Sequence, residues 1–167
     1  MKTKKICGLA ILTALYVALS ALMKIPFIGN ISLDLGYIVF AVAIMIYGYS
    51  GVLVGVLGCS IESLLFSAYG FSISWATGNL IVGLFLAWFI SKSSYNQFRY
   101  MFGALVACVL GILFVKTGIE CRLYNIPTAI KVPKNLVACL VDTVTMWLGI
   151  WIFNEKRLDK LCKVCYN

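Results

Sequence analysis

Four polar side chains that could grip a small molecule stand in otherwise apolar sequence: Asp34, Glu62, Asn79 and Asp142. The chain has six acids in all, and Glu62 and Asp142 fall well inside apolar runs. A carboxylate placed in hydrocarbon costs several kcal/mol, so such residues face a bundle interior or a cavity. Two carboxylates on separate segments, without a paired motif, do not make a metal or hydrolytic centre. There is no histidine, which removes the usual general base at neutral pH and the commonest metal ligand. No G-x-x-x-x-G-K-[ST] stretch occurs, so ATP hydrolysis by the P-loop route is excluded. Of seven cysteines, Cys7, Cys59, Cys108 and Cys139 sit in apolar runs as small hydrophobes. Cys162 and Cys165 form a lone C-x-x-C, a weak signal for metal or redox work. The chemistry on offer is binding, with no cofactor or metal site and no enzymatic role expected.

The elements that must position these groups follow from composition. Hydrophobic residues make up 62% of the 167 and charged residues 12%, with a mean hydropathy of +0.99. Soluble domains run near half apolar and about a quarter charged, so this chain cannot stay in water as one globule. At ~20 residues per crossing it holds about six transmembrane helices and no soluble domain. The expected fold is an all-α integral membrane protein, a single six-helix domain over residues 1–167. The first span runs from about Ile6 to Met23 and is read as a retained helix rather than a cleaved signal, although Ala18-Leu19-Ser20 could pass as a cleavage site. Leu33 to Ser67 is too long for one crossing. Gly48-Tyr49-Ser50-Gly51 divides it into two short helices joined by a tight hairpin. Spans four to six are expected over Ile73–Ile90, Tyr100–Val115 and Asn135–Phe153. A longer loop, Lys116 to Pro133, carries two prolines.

Charge sets the orientation. With the N-terminus inside, nine of the 14 cations fall on inner segments: Lys2, Lys4, Lys5, Lys92, Arg99, Lys156, Arg157, Lys160 and Lys163. Lys24, Lys116, Arg122, Lys131 and Lys134 fall outside, so both termini are expected in the cytoplasm. The excess positive charge of +8 therefore speaks for membrane topology and not for nucleic acid. The five outer cations are either interfacial anchors or a basic rim above a pocket.

In this frame Asp34, Glu62, Asn79 and Asp142 all lie in the outer half of the bilayer, on four helices. They form either an outward-facing polar cavity or interhelical glue; Glu62 favours the cavity, and the depth of Asp142 suits a buried interhelical bond. The aromatics Phe27, Tyr37, Tyr69, Phe71, Trp75 and Tyr124 ring the same end. They are an interfacial belt or stacking surfaces for a heteroaromatic ligand, with Tyr37 and Trp75 best placed for stacking. Polar residues confined to one leaflet argue against a channel. On helix one, Ala10, Ala14 and Ala18 recur at i, i+4 and i+8, a small-residue stripe that lets another helix approach closely, within this chain or from a partner subunit.

Taken in order, Ala10-Ile11-Leu12-Thr13-Ala14-Leu15, Leu33-Asp34-Leu35-Gly36-Tyr37-Ile38, the glycines Gly51, Gly55 and Gly58, and Gly70-Phe71-Ser72 resemble the substrate-binding (S) component of energy-coupling factor (ECF) vitamin transporters. Lys134-Asn135-Leu136 is similar to the Lys-Asn-Leu of folate-type members, with Lys131 where those carry Arg and Cys59 where they carry an acid. The resemblance implies a multi-pass protein of the prokaryotic plasma membrane that binds a vitamin under its outer loops. Folate-like ligands come first, with a queuosine precursor or another vitamin as alternatives. It further implies partners: a transmembrane coupling (T) subunit, docked on Ala10, Ala14 and Ala18, and two cytoplasmic ATPases. The ligand-binding residues expected are Lys24, Asp34, Tyr37, Glu62, Trp75, Asn79, Lys131, Lys134 and Asn135. Lys131 and Lys134 would meet a carboxylate, and Glu62 would read the donor edge of the ring.

Overall fold

A computed structural model describes residues 3–22, 26–28, 31–32, 34–66, 70–92 and 96–155. Helix α1 (Thr3–Leu22) leads through a short antiparallel ribbon, β1 (Pro26–Ile28) with β2 (Ile31–Ser32), to α2 (Gly36–Tyr47). A 3-10 turn over Gly48–Gly51 joins α2 to α3 (Val52–Phe66), and α4 (Ile73–Lys92) follows. Helix α5 (Gln97–Cys108) runs without a break through a π-helical stretch, Val109–Lys116, into α6 (Thr117–Leu123). The last described element is α7 (Thr128–Glu155). The ribbon departs from the expected all-α content, where Lys24 to Asn30 reads as plain loop.

Among the described residues, five helical runs are long and apolar enough to cross a membrane: Thr3–Ala21, Gly36–Phe66, Ile73–Lys92, Gln97–Leu123 and Thr128–Glu155. The second run folds back on itself. A Cβ on Gly55 would overlap the ring of Phe40, yet in one straight helix those positions would stand ~22 Å apart. Gly48 makes the reversal with φ +58°, a conformation costly to any residue with a side chain. The hairpin therefore falls where the sequence places it. Gly58, two turns into α3, similarly admits the ring of Tyr16 from α1.

The helices close into a ring: α1 packs on α3, α3 on α4, α4 on α5, α5 on α7, α7 on α2, and α2 on α1. Helix α2 is the most enclosed, with Tyr37, Phe40, Ala41, Ala43 and Ile44 fully buried. Polar pins hold α5 to α7: Trp147 Nε1 donates to the Met101 carbonyl at 2.7 Å, and Asn154 Nδ2 to Gln97 Oε1 at 2.7 Å. Large apolar side chains such as Phe98, Phe102, Phe114 and Trp151 point outward, as a lipid solvent requires.

One expectation is corrected. Lys116–Pro133 is not a long loop: the helix continues to Leu123, and only 124–127 separate it from α7. The prolines misdirect because they act at a helix start. The Pro127 carbonyl accepts from Ile130 N at 3.0 Å and Lys131 N at 3.3 Å, opening α7. Pro133 lies inside α7, where it removes one backbone bond; packing in a bundle tolerates that loss. At 28 residues α7 is about 42 Å long, against ~30 Å of hydrocarbon, so its ends reach past the apolar layer.

Candidate functional site

The buried polar side chains gather toward one end of the ring, where α1 and α3 finish and α2, α4 and α7 begin. Nearest the tip is a network centred on Glu120. Its Oε2 accepts from Asn135 Nδ2 at 3.2 Å and pairs with Lys131 Nζ at 3.1 Å. Its Oε1 accepts from Ser74 Oγ at 3.4 Å. Asn135 Nδ2 also donates to Thr117 Oγ1 at 2.9 Å, and that hydroxyl donates to the Ile112 carbonyl at 2.9 Å. Thr117 follows directly on the π-helical stretch, and its hydroxyl thus links the Ile112 carbonyl of that stretch to Asn135 of α7. A partly buried carboxylate with three donors is well satisfied, so the network fixes α4, α6 and α7 to one another.

Lys116 lies below it, 3% exposed. Its Nζ stands 3.2 Å from the centroid of the Trp75 ring. A desolvated ammonium over an indole face is worth about 2 kcal/mol. The contact also covers one face of Trp75, so a ring stacking on that face must move the lysine.

The innermost group joins α2, α4 and α7. The Tyr37 hydroxyl donates to Asn79 Oδ1 at 2.6 Å. Asn79 Nδ2 is buried with no hydrogen bond, and the Cys59 thiol, a weak acceptor, stands beside the amide. Asp142, 2% exposed, has its Oδ2 buried with no hydrogen bond. That oxygen of Asp142 makes no interhelical bond of the kind its depth suggests. It lies within electrostatic reach of Tyr37, Lys116 and Asp34.

Asp34 serves a different purpose. Its Oδ1 accepts from Ser20 Oγ at 2.6 Å and from the Gly36 amide at 2.9 Å, clasping α1 to the start of α2. Accepting a first-turn amide satisfies a donor that the helix itself leaves open.

Of the residues expected to bind, Tyr37 and Asn79 meet directly, Trp75 meets Lys116, and Lys131 and Asn135 meet on Glu120. Lys134 is exposed. Glu62 is half-buried on α3, within electrostatic reach of Tyr16 and Cys59. Lys24 and Tyr69 lie outside the described residues, as does the Cys162/Cys165 pair. Sequence reasoning missed Lys116 as a buried group and Glu120 altogether, because both fell in the supposed loop. Their i, i+4 spacing is the signal that a helical reading of that segment would have used.

Ala10, Ala14 and Ala18 are all exposed. With Ile6 of α1 and Leu53, Leu57 and Ile61 of α3 they line an open apolar groove of about 1110 Å³. Only 17% of the membrane-length window of α1 is buried, against 44–56% for the other four runs. Helix α1 is therefore the peripheral member of the ring.

Comparison with known proteins joins these features. A family profile described as "ECF-type riboflavin transporter, S component" matches residues 1–144. The fold is similar to the crystal structure of the S-component for biotin from an ECF-type ABC transporter. The TM-score is 0.67 at 22% identity, covering 93% of this chain and 92% of that one. No curated protein matches the sequence at a significant level.

Proposed function

The chain belongs to the ECF-type riboflavin transporter S-component family, and on that premise we propose that it captures a heteroaromatic vitamin at the polar end of its helix ring. Membership makes it a multi-pass membrane subunit of a vitamin transporter and not an enzyme. The observation that carries the ligand site is the convergence of Tyr37, Asn79, Trp75, Lys116 and Asp142 at one end, with two buried polar atoms still unpartnered. In the proposed arrangement there are six spans with both termini cytoplasmic, the α2–α3 hairpin supplying two of them, and the polar end faces outward. A transmembrane coupling subunit docks on the Ala10/Ala14/Ala18 groove, and two cytoplasmic ATPases supply the energy that this chain has no motif to release.

For the ligand we place a flavin first. The preference for a folate rests on Lys131 and Lys134 meeting a carboxylate, but Lys131 is held by Glu120 at 3.1 Å. A neutral ring system with hydroxyl substituents makes no demand on that lysine. Mass spectrometry of the small molecule that co-purifies in mild detergent, followed by titration with riboflavin, folate and biotin, tests the reading. Riboflavin should bind tightest, with an affinity unchanged by Lys131→Ala. Tight folate binding that Lys131→Ala abolishes would restore the folate assignment. Failure of all three vitamins would remove the vitamin reading.

A further inference from the structure

The two unpartnered atoms of the inner group are of opposite kind. Asn79 Nδ2 can only donate, and the Tyr37 hydroxyl, donating to Oδ1 at 2.6 Å, fixes which end of the amide is left open. Asp142 Oδ2, as a carboxylate oxygen, accepts. The residues are 1% and 2% exposed, so bulk water does not serve them, and orphaned buried groups of this kind are rare in a folded protein. They come from α4 and α7, which are not neighbours in the ring. Tyr37 of α2 links them, hydrogen-bonded to Asn79 at 2.6 Å and within electrostatic reach of Asp142. Lys116, resting on Trp75, supplies positive charge within electrostatic reach of Asp142.

We infer that Asn79 and Asp142 together read one edge of the ligand, Asn79 donating to a ring carbonyl and Asp142 accepting from the N–H next to it. The class of ligand so defined carries a cyclic amide, imide or urea edge. Flavins, pterins and biotin share that chemistry, whereas aromatic rings lacking an N–H beside a carbonyl do not. A site built to bond such an edge rejects the analogue that lacks the N–H far more strongly than an apolar pocket rejects an extra methyl group, because the buried acceptor is then left unpaired. The inference rests on the vitamin reading above and adds which side chains set its specificity. It moves the edge-reading role from Glu62 on α3 to Asp142 on α7. The competing account of the two atoms is an ordered water bridging them.

The test uses the whole protein in mild detergent. Wild type is titrated with riboflavin, folate and biotin, and then with the N-methylated counterpart of whichever binds (3-methylriboflavin for riboflavin). The parent should bind at least about tenfold more tightly than the N-methyl form, since a hydrogen bond is lost and the buried Asp142 oxygen is left unpaired. Asp142→Asn should weaken the parent about tenfold or more and shrink the discrimination against the N-methyl form. Asn79→Leu should weaken both forms alike. Asp142→Leu separates site from scaffold: it should abolish binding while holding or raising the melting temperature, because an unpaired buried carboxylate is replaced by apolar bulk. Equal wild-type affinity for parent and N-methyl forms overturns the inference without needing any variant to fold. Wild-type affinity in Asp142→Asn overturns it too, and leaves the bridging water as the account of the pair. In both cases the vitamin reading survives. Absence of binding to all three vitamins overturns both.

Discussion

Replacing Glu120 by Ala would strand Lys131, Asn135 and Ser74, which share its carboxylate. Removing one partner of a partly buried pair is more damaging than removing both, because the survivor keeps a charge that water reaches only in part. Glu120→Ala should therefore destabilise by about 2–4 kcal/mol. Adding Lys131→Ala should recover part of that loss, measured as a positive coupling in a thermal double-mutant cycle. Additive losses would mean that the ion pair contributes nothing beyond its separate members. Glu62 carries a separate proposal, as a pocket residue on α3. Glu62→Gln keeps its size and exchanges an acceptor for a donor, so a vitamin affinity that fell about tenfold with the fold intact would return the edge-reading role to Glu62, whereas the assignment to Asp142 leaves affinity unchanged. An unchanged affinity with a lowered melting temperature would assign Glu62 to packing. At this scale the sequence was partly legible: Tyr37, Asn79 and Trp75 announce themselves as polar or aromatic groups at one depth. Lys116 and Glu120 did not, because charge beside prolines resembles a solvated loop, and only the fold reveals that they are buried.

Helix α1 is the element with the most surface to spare. Its exposed alanines and the flank of α3 leave an open apolar groove, and close helix approach is what small residues permit. Ala10→Trp together with Ala14→Trp should abolish cellular uptake while the isolated protein binds its vitamin unchanged. A double variant that loses binding and folding as well would show the stripe to be internal packing. Elements were the most legible level. Apolar run length located the helices, and the Gly48–Gly51 break located the α2–α3 hairpin, because a tight reversal needs residues that tolerate unusual backbone angles. The extension of α5 into α6 was hidden for a definite reason: Pro127 and Pro133 punctuate a helix start as readily as they punctuate a loop.

Among the described residues the polarity is lopsided, with most buried polar side chains toward one end. The charge bias predicts that this end faces outward, and the orientation can be measured. In a cysteine-free background on intact cells, an impermeant maleimide should label Tyr124→Cys at the polar end and spare Phe98→Cys at the opposite end; both positions are exposed. The reverse pattern would invert the topology and place the binding end in the cytoplasm. One local irregularity bears on the entire arrangement. The π-helical stretch Val109–Lys116 carries more residues per turn than the helix on either side. Removing one residue as the ladder closes would restore the phase, whereas winding the same eight residues as ordinary α-helix would swing everything beyond them by about 100° about the axis. Lys116 would leave Trp75, and Glu120 would turn from Asn135 toward lipid. The segment thus acts as a phase adjuster: its wide turn sets the direction in which Lys116, Thr117 and Glu120 face, although no side chain within 109–115 joins their contacts.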